Sequence, residues 1–263
     1  MRSRRLARLL VSAALCVGCR DRATTTPEPV PEPEPESATC GPIGERFVDY
    51  AWVPDDARLL IVIDRDAEDL PAALARLQSL TDEAAAVGLP IRATLALRQL
   101  GMQTQVLGLS LARLGLEPGE LIELHGPGNE LAWMWTTSCE PASLATRMLA
   151  RWGVLLRANL DAKLGVGDRE RFPFDVVVLA DGRVALTPLG QASALLAWLR
   201  GAQGEARPGS ILAELAPAPI RAVVRGESLL AGEDPSPGSD RAHTRTLRVE
   251  GERIELDAKV WPP

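Results

Sequence analysis

Few side chains in this 263-residue sequence are spaced for chemistry. Cys16-Val17-Gly18-Cys19 is a C-x-x-C, the spacing of a dithiol redox pair or, with histidine next, of a haem attachment. Arg20 follows instead. Upstream stand four arginines without an acid (Arg2, Arg4, Arg5, Arg8), then an apolar run from Leu9 to Gly18. About ten apolar residues cannot span a bilayer, which takes ~20. A basic head, a short apolar stretch and small residues form an export signal. Gly108-Leu109-Ser110-Leu111-Ala112 is one residue from a G-x-S-x-G nucleophile elbow. That elbow needs a strand before it and a helix after it, and the periodicity favours a helix running through Ser110. Asp64-Arg65-Asp66-Ala67-Glu68-Asp69 suggests a calcium loop, but Asp69 and Ala75 stand where an EF-hand needs glycine and glutamate. These acids read as caps for the helix that follows. His125 is one of two histidines and reads as a solvent-facing turn residue without zinc partners. No catalytic set, cofactor motif or metal ligand set is expected, since H-E-x-x-H, the P-loop and G-x-G-x-x-G are all missing from the sequence.

Cys16-Val17-Gly18-Cys19 resembles the lipobox of bacterial lipoproteins. Gly18 and Cys19 match its pattern, while Cys16 stands where leucine is usual. The resemblance implies that Cys19 receives diacylglycerol and further acyl chains such as palmitate, and becomes the mature N-terminus. Choosing Cys16 instead would put bulky Leu15 at the cleavage position. In the best-known members an aspartate directly after the lipid cysteine retains the protein in the inner membrane. Here Arg20 follows and Asp21 comes one place later, which leans toward the outer membrane, facing the periplasm or the surface.

Residues 1–18 are therefore expected to be the signal peptide. Removing them takes away four arginines and no acid, and moves the net charge from −6 to −10. So acidic a chain should not seek nucleic acid, whose affinity comes mainly from cations on phosphate. Residues 19–39 hold the run TTTPEPVPEPEPES, which cannot build a core and favours extended polyproline II. Such a tether reaches roughly 60 Å. The folded domain is expected over 40–263. Once Cys16 leaves and Cys19 carries lipid, Cys40 and Cys139 remain in a compartment that permits disulfides. They are expected to pair, the alternative being two unrelated thiols.

Within the domain, ARLLIVID (57–64) reads as a buried strand and AEDLPAALARLQSLTDEAAAVG (67–88) as a helix ended by Gly88. IRATLALRQ (91–99) reads as a strand and TQVLGLSLARLG as a short helix. GELIELHGPGNELAWMWTT reads as two strands about a turn at His125. A long amphipathic helix is expected from Pro141 to Leu164, capped by Gly165. FDVVVLADGRVALTP reads as a hairpin with Asp181-Gly182 in a two-residue turn, QASALLAWLR as a helix, and RTLRVEGERIELDAKVW as a second hairpin. The expected fold is α+β, a mainly antiparallel sheet with helices packed on one side. Two degenerate β-α-β-β units are an alternative reading, without any residue-level repeat.

Trp133 and Trp135 face one side of their strand. Exposed, they would form a stacking platform for sugar. Buried, they are large core residues, which the uncovered face of the long helix supports. The expected role is a membrane-anchored envelope lipoprotein that binds or spaces other envelope components without catalysis. The alternatives are an exported ligand- or glycan-binding module and an envelope enzyme of unrecognised type.

Overall fold

The computed structural model describes Cys40 and residues 44–79, 91–201, 208–226, 243–251 and 253–260. The expected signal peptide, Cys19 and the Pro/Glu tether lie outside the described residues. The chain divides into Met1–Ser37 and Ala38–Pro263, and the second unit holds every described residue.

In chain order the elements are β1 (Leu59–Asp64), α1 (Leu70–Ser79), α2 (Ile91–Arg113), β2 (Glu120–His125), β3 (Leu131–Thr136), α3 (Pro141–Trp152), β4 (Leu156–Asn159), β5 (Ala162–Gly165), β6 (Phe174–Leu179), β7 (Arg183–Pro188), α4 (Ala192–Arg200), α5 (Pro208–Glu214), β8 (Ile220–Gly226), β9 (His243–Glu250) and β10 (Arg253–Val260). The strands form one sheet in the order β10-β9-β8-β1-β2-β3-β7-β6-β5-β4. Every pairing is antiparallel. The fold is α+β, as the alternation of elements implied.

Side chains alternate across a strand, so a run such as LLIVID buries apolar groups on both faces. Leu59, Ile61 and Ile63 join one core cluster with Ala73 and Leu77 of α1, Leu100 and Leu111 of α2, and Leu144, Met148 and Trp152 of α3. Leu60 and Val62 join a second cluster with Leu195 and Leu196 of α4 and Ile211 and Leu212 of α5. The helices are thus divided between the two faces instead of gathered on one. The physical reason lies in the strands, which carry apolar residues in both registers and leave neither face fit for water.

The two strand-helix-strand passages close differently and do not form matching units. After α1 and α2, β2 returns beside β1, whereas after α3 the chain runs to β4 at the far edge of the sheet.

Two helices depart from expectation. Residues 91–99 are helical, part of the 23-residue α2. Its interior is rich in Leu, Ala, Arg and Gln, all good helix formers, and its buried residues Ala93, Ala96, Leu97, Leu100, Thr104, Leu107 and Leu111 recur at helical spacing. Helix α3 begins at Pro141 as expected but stops at Trp152. Gly153 adopts φ +72°, its N–H donates to Leu149 O, and Val154 N–H donates to Met148 O. This left-handed cap satisfies the last carbonyls and turns the chain into β4. Gly165, expected as the cap, lies in β5, where a Cβ would collide with Val154. The β6–β7 loop is also longer than expected: Val178 pairs with Val184, and φ is positive at Gly182 but not at Asp181. That is a three-residue loop closed by a glycine in the left-handed region. Residues 80–90, where the first helix was expected to continue, lie outside the described residues.

Candidate functional site: the tether root and the helical face beside it

The segment that would receive the tether is fastened to the sheet by polar contacts. Cys40 and Cys139, 99 positions apart in sequence, are joined as a disulfide. Gly44 N–H donates to Glu117 O at 2.8 Å, immediately after α2. The Glu45 carboxylate accepts from Ser138 N–H and Oγ at 2.7 and 2.6 Å, next to Cys139. Arg46 grips Asp64 at the end of β1 with both terminal nitrogens, at 2.8 and 2.7 Å, and reaches Asp66 at 3.2 Å. Such paired, charge-assisted bonds fix orientation as well as position.

Beneath this grip lies Glu120, the first residue of β2, almost fully buried. Its Oε1 accepts from Tyr50 Oη at 2.8 Å and Arg221 Nη2 at 3.2 Å, and its Oε2 accepts from Phe47 N–H at 3.2 Å. Arg221 Nη2 also donates to Tyr50 Oη at 3.1 Å. Burial, together with the Glu120 charge, pushes the Tyr50 phenol up to about 12. Burial works against the Asp64 carboxylate, but the Arg46 bonds outweigh it and hold its pKa below the ordinary value. These groups satisfy one another, and the arrangement acts as a fastening.

The acidic run beyond β1 is tied into the fold, and Asp69, directly before α1, accepts Ala73 N–H on its carbonyl at 2.9 Å. Asp64 and Asp66 serve Arg46, and Asp69 accepts from Gly251 N–H at 2.8 Å in the β9–β10 turn. Among the described residues, no group of three or more His, Cys, Asp or Glu side chains is placed to hold a metal ion.

His125 is not a solvent-facing turn residue. Its Nε2 lies 2.6 Å from Oε1 of Glu123, which is 1% exposed. Both side chains stand on the α1–α3 face of β2, two residues apart, a period-2 relation the sequence already carried. The other Glu123 oxygen finds no partner among the described groups. An imidazole oriented by a buried carboxylate is a base with its orienter, but a nucleophile is also needed. Ser110, the sequence's nearest candidate, lies within α2 and donates its hydroxyl to Val106 O at 2.9 Å.

Trp133 and Trp135 lie in the core at 9% and 1% exposure. Trp133 meets Phe174 edge-on at 5.4 Å between ring centres. The sugar-stacking platform that an exposed pair would form is not present, because the α3 face needed covering and these side chains fill it.

What sequence reasoning missed is the outer side of α2. Leu95, Met102, Val106 and Leu109 are between 48% and 64% exposed. At 3.6 residues per turn they fall within about 60° of one another, opposite the buried row. The helix carries Arg92, Arg98 and Arg113 and no acid, within a chain of net charge −6. The signal was a second apolar row at i, i+7, i+11 and i+14, hidden by reading the first nine residues as a strand. Arg147 of α3 donates to Leu114 O at 2.8 Å, beside the C-terminal end of α2. Among the described residues, no helix is long and apolar enough to cross a membrane.

No family model matches the chain, and no curated protein matches it. Among solved structures, crystal form III of TP0453 is similar with a TM-score of 0.42 and 8% identity, over 83% of this chain and 82% of that one. A likeness of that degree carries no argument about function.

Proposed function

We propose that this chain is a lipid-anchored, non-catalytic protein of the bacterial envelope, held at a distance from its membrane by the Pro/Glu tether. The observation that carries this reading is the N-terminal sequence: a basic head, a short apolar run and Gly18-Cys19. Support comes from the disulfide at Cys40, where the tether meets the domain, since such bonds persist in oxidising compartments. The bond and the Arg46–Asp64 grip place a covalent and an ionic stop between a pull on the tether and strand β1. A single acyl chain gives only marginal residence, whereas two or more make it lasting without any membrane-spanning helix.

Metabolic labelling with a radioactive or clickable fatty acid tests the anchor. The wild-type protein should take up label, and Cys19→Ala should take up none and accumulate as precursor or soluble protein. Label that persists in Cys19→Ala refutes the assignment.

A further inference from the structure

We infer that the outer side of α2 seats on an anionic phospholipid surface, with Leu95, Met102, Val106 and Leu109 entering the headgroup boundary and Arg98 and Arg113 meeting lipid phosphates. This goes beyond the proposed anchoring, because the contact belongs to the folded domain and does not depend on lipid at Cys19.

Two observations carry it. The first is apolar area without a use in the fold. Scattered surface leucines are ordinary, but four large side chains in one row on one helix are a patch. The row from Leu95 to Leu109 runs roughly 20 Å along the axis at ~1.5 Å per residue. The second is charge. Arg98 and Arg113 are exposed, the helix holds no acid, and the chain as a whole is acidic. A basic helix with an exposed apolar row is the pattern of a segment lying in a membrane interface. A second copy of this chain fits less well, because the same arginines would face each other across the contact.

The experiment uses residues 19–263 carrying Cys19→Ala, which removes the lipid together with the basic, apolar head and leaves the helix. It is mixed with vesicles of phosphatidylglycerol and phosphatidylcholine in equal parts, or of phosphatidylcholine alone, and co-sedimentation is measured. Binding should favour the anionic vesicles and weaken with added salt. Replacing Arg98 and Arg113 by glutamate should lower apparent affinity at least about tenfold, each basic residue near such a surface being worth roughly fivefold. Met102→Asp with Leu109→Asp should lower it about tenfold or more on the same vesicles. Both double variants should keep the parent's circular dichroism and unfolding midpoint, since these side chains leave the core untouched. To report contact at the helix itself, Leu109→Trp should be quenched by vesicles with brominated acyl chains. Equal binding of parent and variants, or an unquenched Leu109→Trp, overturns the inference. So does a concentration-dependent dimer, seen by sedimentation velocity, that the same variants dissolve. Failure of acyl labelling at Cys19 would refute the anchor and leave this result standing, and the reverse holds equally.

Discussion

The root of the folded domain, around Glu45 and Arg46, and the outer side of α2 are built on opposite principles. At the root the polar groups are matched: Arg46 with Asp64 and Asp66, Glu45 with Ser138, Glu120 with Tyr50, Arg221 and the Phe47 amide. On the outer side of α2 the apolar groups are unmatched, with Met102 and Leu109 more than half exposed. Burying charges is costly unless partners satisfy them, so a closed network reads as structure. Leaving a row of large apolar groups in water gains the fold nothing, so an open row reads as a surface kept for something else. Changes at the root should therefore alter stability and leave vesicle binding alone, and changes on the outer side should do the reverse.

The largest effect is expected at the disulfide. Replacing both Cys40 and Cys139 by alanine releases a 99-residue loop, for which the chain-entropy model allows up to about 4.7 kcal/mol. Equilibrium denaturation should show the loss, while co-sedimentation of the unlipidated chain should stay near that of the parent.

Next comes a contrast within α2. Leu111 is fully buried and Leu109, two residues earlier, is 64% exposed. Leu111→Ala should cost about 2–5 kcal/mol by cavity formation, and Leu109→Ala less than about 0.5. Urea midpoints measure both. Similar costs at the two positions would break the comparison, because the outer row would then be core.

The alkaline limb tests Glu120 and its partners. Tyr50 ionises near 12 in the fold and near 10 when unfolded, so between these values the folded state holds the extra proton. The contribution is complete below about pH 10 and is lost as pH rises through 12, amounting to roughly 2–3 kcal/mol. Comparing wild type with Tyr50→Phe across that range isolates it, because the variant lacks the component.

The smallest expected effect is at Asp64. Its folded pKa is lowered, so its contribution is complete above the unfolded value of about 3.9 and is lost as pH falls through the lower folded value. The pair is partly exposed to solvent, which limits Asp64→Asn to about 1 kcal/mol or less at neutral pH. A larger loss would mean that the grip holds more of the domain than the residues it touches.

The two hairpins β6–β7 and β9–β10 could be read from sequence because their information is local: a short apolar run on each arm of the first, period-2 alternation on each arm of the second, and a turn residue between the arms. The start of α3 was legible for the same reason, in Pro141. Its end was not, although Gly153 was in plain view. Leu155 and Leu156 continue the apolar spacing past that glycine, and periodicity alone cannot tell a helix from the strand that follows it. Helix α2 was misread because IRATLALRQ is apolar on both of its sides once the outer row is included, which imitates alternation.

By itself the sequence determined the α+β class, most of the element types and the acidic balance. All of these follow from local spacing or from counting. Tertiary structure alone decided the strand order, with β7 beside β3 and β8 beside β1. It likewise decided that helices cover both faces, that Glu123 turns to His125, and that Trp133 and Trp135 point into the core. Pairing across a sheet depends on which distant apolar faces bury each other best, and that is a property of the packed whole. Exposure of the outer row of α2 is such a property too, because a helix with two apolar sides can turn only one of them to the core.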